Sequence, residues 1–407
     1  MIHDDKSSLR GGGTSEIIIK TKFQNKKATY MESQNKKTLF DTYQMGDITL
    51  SNRIGMAAMT RCRCDPKDGI PTDLVAKYYA QRATGGFILT ECSGISNQGN
   101  SFPGSTGIWN REQVDGWKKV IDAVHAKGGK IILQIWHGGR AANPEQTGEK
   151  SLAPSALPIR GFDKDGNTTT SHTPTEMTLD DIKQVKEEFR QGAIRAKEAG
   201  FDGLELHGAN GYLVDQFIRD GTNQRTDEYG GSIENRARFC LEVIDILIEV
   251  FGKGRVGIKL SPVGRYQDMY DSNPIETYTY LLKKLDERGI AFVELTEPST
   301  YEGKMHYPTS GVEQIPEVAK TFREAFKGTL ITNQNHTPET ALDYINKGWA
   351  DLVTFGKLYL ANPDLPERIK NGWELNTKFD FGTFFTPGEK GYTDYPFYDV
   401  DAAKTKA

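Results

Sequence analysis

The stretch 180-DDIKQVKEEFRQGAIRAKEAGFDGLELHG-208 joins a charged segment of helical period, Asp180 to Ala199, to a short apolar run, Gly203 to His207. A helix that packs beside a strand gives this pattern, and its repetition along the chain decides the fold. Working outward, similar apolar runs occur at Ile54 to Met59, Phe87 to Thr90, Lys130 to Trp136, Val256 to Leu260, Phe292 to Thr296, Leu330 to Thr332 and Leu352 to Phe355. With Gly203 to His207 they make eight. Helix-period segments follow them, for example Glu112 to Ala126 and Thr337 to Asn346. Eight β-α units predict an α/β fold of one closed (β/α)8 TIM barrel rather than an open doubly wound sheet. No GxGxxG follows the first run, which counts against a Rossmann domain.

The long interruption between Gly138 and Met177 is rich in Pro, Gly, Ser and Thr, and is expected to be a loop excursion over the C-terminal face of the barrel. The barrel is expected to span residues 38–400, with a flexible extension at 1–37 and a flexible tail at 401–407. The first thirty residues are polar and lack the apolar core of a secretory signal. Asp4, Asp5 and Glu16 count against an amphipathic targeting peptide, and Met31 is an alternative start.

A net charge of -4 and a pI near 6.1 leave no basic footprint for nucleic acid or an anionic membrane, and no apolar run is long enough to span one. A small molecule is the expected partner. Cys62, Cys64, Cys92 and Cys240 are too few for a disulfide scaffold and lack metal-ligand spacing, so a cytoplasmic location and no metal are expected.

In such barrels the chemistry sits at the C-terminal strand ends. Here those ends carry Ala58-Met59-Thr60-Arg61, Glu91-Cys92, Gln134, Trp136-His137, then His207, Asn210 and Tyr212, followed by Lys259, Glu297, Gln334-Asn335 and Gly356-Lys357. Amides, hydroxyls and lysines dominate, which disfavours paired-acid glycosidase chemistry and suits a cofactor cradle. Gly356-Lys357 lies where this architecture usually binds phosphate. His137 receives no role.

The motifs "MAAMTRCR", "GFILTECSGIS", "ILQIWHGGR", "SLAPSAL", "LELHGANGYLVDQFIRDGTNQRTDEYGGSIENRARF", "VGIKLSP", "MYDSNPIET", "FGKLYLANPDLPERI" and "GYTDYP" occur in this order between Leu39 and Tyr398. Through them the chain resembles the Old Yellow Enzyme family of FMN-dependent ene-reductases, in its 12-oxophytodienoate reductase-like branch. The resemblance implies non-covalent FMN and a nicotinamide reductant, NADPH or NADH, with ping-pong reduction of the C=C bond of α,β-unsaturated carbonyl compounds. It implies that His207 and Asn210 hydrogen-bond the substrate carbonyl and that Tyr212 delivers the proton. Ala58, Met59, Thr60, Cys92, Gln134, Lys259, Gln334, Asn335, Gly356 and Lys357 are then the cofactor set, with Lys259 by the flavin N1 and C2=O. Trp136, Tyr266 and Phe385 join His207 and Asn210 around the substrate, and Tyr392 is a further candidate cover or a buried turn residue.

The chain departs from the family pattern at five places. Lys259 and Lys357 stand where Arg is common, "TNQNHT" (Thr332 to Thr337) replaces a Gly-rich stretch, Phe385 stands for Tyr, and Cys92 for a small residue. A lysine keeps the charge but not the planar fork. Two other readings remain: a flavin-free barrel enzyme using Lys259 as a Schiff base, and a non-catalytic small-molecule binding barrel. Enones, enals, quinones, nitro compounds and maleimides all suit the chemistry, and the protein is expected to be a monomer or homodimer.

Overall fold

The computed structural model of the chain describes residues 36–162, 167–298 and 315–401. Eight strands carry the architecture: β1 (Ile54–Met56), β2 (Phe87–Leu89), β3 (Ile131–Trp136), β4 (Gly203–Gly208), β5 (Val256–Leu260), β6 (Phe292–Thr296), β7 (Thr329–Asn333) and β8 (Leu352–Phe355). Each pairs in parallel with the next, and β8 pairs with β1, so the sheet closes. All eight coincide with the runs expected from sequence. β1 ends at Met56 rather than Met59. After the amide of Ala57 bonds the Phe355 carbonyl at 3.0 Å the chain leaves the ladder, and Cys62 adopts a φ of 54°.

The outer ring comprises α1 (Asp73–Ala80), α2 (Arg111–His125), α3 (Leu179–Ala199), α4 (Ile233–Phe251), α5 (Pro274–Arg288), α6 (Val318–Phe322), α7 (Pro338–Asn346) and α8 (Leu365–Asn371). Their starts follow local chemistry. Asn110 with Gln113, and Thr178 with Asp181, form capping boxes that satisfy the free amides of the first turns of α2 and α3. In α3 the buried face is Ile182, Val185, Phe189, Ala193 and Ala196, a stripe of helical spacing turned toward the sheet.

Inside the barrel, side chains two residues apart point the same way. The lower interior is apolar: Phe87, Ile132, Phe292, Ile331 and Leu352 pack with Met45, Ile48 and Leu50, which belong to a hairpin, Tyr43–Met45 with Ile48–Leu50, that plugs the N-terminal mouth. Gly55 and Gly257 make this packing possible, because a Cβ on either would sit 2.3–2.4 Å from the ring of Phe87 or Phe292. One step of two residues higher, the inward positions turn polar.

The excursion between β3 and α3 contains the short helix Pro144–Thr147 and four short strands. Arg140 ties its start to the loop after β5, donating to the carbonyl of Gln267 at 2.7 Å. The expected N-terminal extension lies outside the described residues except at its last two positions, as does the C-terminal tail beyond residue 401.

Candidate active site

The polar positions above the apolar plug are Gln134, Glu205, Lys259, Glu294, Asn333 and Thr354, each two residues beyond or before an inward neighbour. Strand register sets their partners. Gln134 lies beside Glu205 across β3 and β4 and donates to its Oε2 at 2.6 Å. Lys259 lies beside Glu294 across β5 and β6, with Nζ 2.8 Å from Oε2, and also donates to Asn333 Oδ1 at 3.3 Å. Thr354 donates to Glu294 Oε1 and accepts from Asn333 Nδ2 at 2.7 Å. Lys259 thus carries its charge into the barrel already ion-paired.

At the mouth, β4 runs into Gly208, Ala209, Asn210 and Gly211 before Tyr212 opens the short helix Leu213–Ile218. Asn210 has φ 57°, a left-handed conformation that Asn tolerates, and its amide donates to Ser261 Oγ at 2.9 Å. The Gly211 amide donates to Asp215 Oδ2 at 2.9 Å. This turn sets the His207 and Tyr212 rings 4.9 Å apart, edge to face, with Trp136 4.7 Å from Tyr212 on another side. Cys92, Trp136 and Tyr212 pack as one cluster, and Cys92 Sγ lies 3.0 Å from Thr60 Oγ1. Phe385 stacks on Phe102 and Phe102 on Trp136, at 6.0 and 6.1 Å, so the exposed Phe385 caps the same wall.

Burial governs the protonation of this group. It depresses His207 to about 3, with Lys259 adding to the effect, and leaves Nδ1 buried without a hydrogen-bond partner. Burial also raises the Tyr212 phenol well above its usual value, opposed by a hydrogen bond from Gln267. The imidazole is therefore neutral and the phenol protonated near pH 7.

A cleft of about 640 Å³ opens beside this wall, lined by Ala58, Met59, Asn333, Gln334, Asn335, Thr354, Gly356, Lys357, Leu375, Phe379, Phe381 and Phe384 among others. Lys357 lies 5.7 Å from the centroids of Phe379 and Phe381. Arg63 holds the strap above it, donating to the carbonyls of Thr383, Phe384 and Gly388 at 2.7, 3.0 and 2.9 Å. The two residues that replace glycines keep a glycine-like backbone: Gln334 has φ 79° and Asn335 φ 59°. Asn335 is anchored by a bond from Nδ2 to the Pro298 carbonyl at 2.7 Å, while Gln334 has no such compensation in its own backbone preference. Gln334→Gly is expected to stabilise the protein by about 0.5–1 kcal/mol, strain relief outweighing the added chain entropy. Asn335→Gly is expected to gain nothing, because the lost hydrogen bond contributes about 1 kcal/mol. Denaturant titration of the two variants checks the contrast.

The structure brings the expected residues into one region. Ala58, Met59, Gln334, Asn335, Gly356 and Lys357 line the cleft; Thr60, Cys92, Trp136, His207, Tyr212 and Phe385 form the adjoining wall; Gln134 and Lys259 lie in the polar layer with cleft-lining Asn333 and Thr354. Tyr266 is near enough to act electrostatically on the Tyr212 hydroxyl. Tyr392 is fully buried and stacks on Tyr78 at 3.9 Å, so it is a turn residue in the core rather than a cover. His137 is likewise buried and accepts from the Gly139 amide at 3.0 Å. Glu91 and Glu297, the strand-end carboxylates, accept backbone amides, Glu297 those of Val318 and Ala319 at the start of α6. The sequence inventory missed Glu205 and Glu294; the available signal was a charge inside an otherwise apolar strand run.

The buried neutral histidines bear on stability. His137 is depressed to about 4 by burial and His207 to about 3, below the unfolded value near 6.5, so the unfolded chain binds more protons between these limits. Each of these histidines removes up to about 1.4 kcal/mol per pH unit on acidification below about pH 6.5, while Glu91, which burial raises to about 7, and Glu205 bind protons on folding and oppose them, so the net fall is expected to be smaller than the histidines alone would give. Unfolding midpoints between pH 8 and pH 5 measure this.

Comparisons with known proteins agree with the geometry. The family model described as "NADH:flavin oxidoreductase / NADH oxidase family" matches residues 38–376. The chain is 45% identical over 378 residues to flavin oxidoreductase hxnT of Emericella nidulans, covering 88% of this chain and 97% of that one. It is 41% identical over 381 residues to 12-oxophytodienoate reductase 7 of Oryza sativa subsp. japonica, covering 90% and 96%. The solved Old Yellow Enzyme homologue from Zymomonas mobilis superposes with a TM-score of 0.82 at 39% identity, covering 89% of this chain and 100% of that one. A closed barrel with this polar mouth, matched along nearly its whole length, places the chain in the NADH:flavin oxidoreductase / NADH oxidase family, as a flavin oxidoreductase of the Old Yellow Enzyme type.

Proposed function

We propose that this protein reduces the C=C bond of α,β-unsaturated carbonyl compounds with FMN and NADPH, or alternatively NADH. The observation that carries the reading is the pairing of a neutral, buried His207 with a protonated Tyr212 at the end of β4, beside a cleft of about 640 Å³.

The residues present fit FMN. Lys357 offers positive charge for a phosphate, Ala58, Met59 and the strap phenylalanines offer an apolar slot for a flat ring system, and the Gln134 and Lys259 layer offers polar groups beneath. Thr60, Cys92, Gln334, Asn335 and Gly356 complete the proposed set. When bound, the flavin accepts hydride from the nicotinamide and passes it to the substrate β-carbon.

His207 and Asn210 donate hydrogen bonds to the substrate carbonyl oxygen, drawing electron density from the alkene and making the β-carbon electrophilic. A neutral imidazole can do this without holding a charge in a dry site. Tyr212 gives its proton to the α-carbon as the hydride arrives, so the product gains one hydride and one proton. The phenolate left behind recovers its proton from solvent, since burial favours the neutral phenol. Trp136, Tyr266 and Phe385 bound the substrate space, and enals, quinones, nitroalkenes and maleimides share the required polarised double bond.

An absorption spectrum of the purified protein tests this first. Flavin bands that bleach with NADPH under anaerobic conditions and return with 2-cyclohexenone support both half-reactions. A protein that stays colourless after incubation with FMN overturns the reading. Trapping of a carbonyl compound on Lys259 by borohydride would instead favour a Schiff-base enzyme, but an ammonium already 2.8 Å from Glu294 inside the barrel is poorly placed for that role.

A further inference from the structure

Glu205 Oε1 is buried and receives no hydrogen bond from a donor group among the described residues, whereas Glu294 Oε2, also buried, faces the Lys259 ammonium at 2.8 Å. The two carboxyls enter the same polar layer from β4 and β6, the strands on either side of Lys259, and a buried carboxyl whose one donor is a neutral amide keeps its proton beside a carboxylate that holds the nearby cation. The remaining oxygens are occupied: Gln134 donates to Glu205 Oε2, and Thr354 to Glu294 Oε1.

We propose that Glu205 and Glu294 hold one shared proton in the floor of the site, and that the remaining negative charge, on Glu294, offsets the Lys259 ammonium and thereby sets the reduction equilibrium of the bound cofactor. The inference rests on the flavin reading above and assigns Glu294 as a positioning residue for charge. The placement of the proton follows from the neighbours. Lys259 touches Glu294, at 2.8 Å, whereas the donor bonded to Glu205 is the neutral amide of Gln134. Burial and the Glu294 charge both raise the Glu205 pKa well above the carboxylate range. The other groups around the pair are Asn333 and Thr354, which are neutral, and His207, which the Lys259 charge helps to keep neutral. Lysine, glutamate and glutamic acid therefore sum to zero charge under a cofactor that gains negative charge when reduced.

The test compares E205Q with the double variant E205Q/E294Q in the flavin-loaded protein, by equilibrating the flavin with a reference redox dye. E205Q replaces a neutral acid by a neutral amide and is expected to change the reduction equilibrium by less than twofold. The double variant leaves the Lys259 charge unbalanced and is expected to shift the equilibrium at least tenfold toward reduced flavin, about 30 mV for a two-electron couple. An unchanged or opposite shift in the double variant, or an equal shift in E205Q alone, overturns the proposal. If the double variant does not fold, the infrared difference spectrum between flavin-free wild type and E205Q decides: wild type is expected to show a protonated-carboxyl carbonyl band at neutral pH that E205Q loses, over and above that of Glu91, which burial raises to about 7. A wild-type spectrum without that band rejects the shared proton. A protein that binds no flavin at all rejects the functional reading instead, and the infrared result still judges the proton.

Discussion

On the proposed reading, Tyr212→Phe is expected to leave reduction of the flavin by the nicotinamide at its wild-type rate and to slow reoxidation by an enone about 10²–10⁴-fold, the usual contribution of a positioned general acid. The asymmetry follows from the geometry. Phenylalanine keeps the ring that packs against Trp136 at 4.7 Å and His207 at 4.9 Å, so the walls of the site survive. Only the hydroxyl goes, and with it the proposed proton donor, which burial holds protonated. Hydride delivery to the enzyme needs no proton from this position; hydride delivery to the alkene does. Stopped-flow measurement of the two half-reactions separates them. A variant equally slow in both would mark Tyr212 as a packing residue, and one fast in both would pass the proton to another donor.

How much of this was legible in the sequence depended on whether the signal was periodic or positional. The eight strands are short apolar runs between helix-period segments, and local pattern suffices to find them. His207, Asn210 and Tyr212 stand out because polar side chains between glycines interrupt a buried strand. The Glu205, Glu294 and Lys259 arrangement was not legible, because which inward side chains meet is set by register between strands distant in sequence. For the same reason the sequence places a Lys259 charge in the cofactor set but does not reveal its partner, Glu294. The backbone at Gln334 and Asn335 was also hidden: a left-handed φ is imposed there by the β7 to α7 connection, on residues that do not announce it.

The second half of the long motif, from Asn223 to Arg238, has a different job from the first, which carries His207, Asn210 and Tyr212. Asn223 donates to the carbonyls of Phe217 and Tyr229, Arg225 to that of Met177, and Arg236 to that of Ile218, at 2.6–3.0 Å. These bonds knot the chain behind the β4 turn rather than enter the site. Their distinctive spacing reports a support structure, and the support extends to one buried ion pair.

That pair, Asp215 with Arg219, yields the second large expectation. Arg219→Met should destabilise the protein by about 3–5 kcal/mol, the cost of stranding a buried charge, and should weaken catalysis in whatever folded protein remains. Both side chains are essentially inaccessible, with Nε 2.8 Å from Asp215 Oδ1. Arg219 also donates to the Gly264 carbonyl at 2.6 Å and to the Ser261 carbonyl. Tyr278 donates its hydroxyl to the same Asp215 oxygen at 3.0 Å. The partners of this cluster are the very groups that fix the turn carrying Asn210 and Tyr212: Asp215 holds the Gly211 amide and Ser261 holds the Asn210 amide. Losing Arg219 leaves Asp215 charged in a dry site with its two remaining donors, and frees the Ser261 segment on which Asn210 rests. Arg219→Lys keeps a charge but cannot span Asp215, Ser261 and Gly264 at once, so an intermediate loss is expected. The double variant Asp215→Ala with Arg219→Met removes the stranded charge and should recover part of the stability while leaving the turn unsupported, so that its unfolding free energy rises above that of Arg219→Met and its kcat does not. Denaturant titration paired with steady-state kinetics reads both quantities, and stability and kcat recovering together would mean that the pair serves the fold alone.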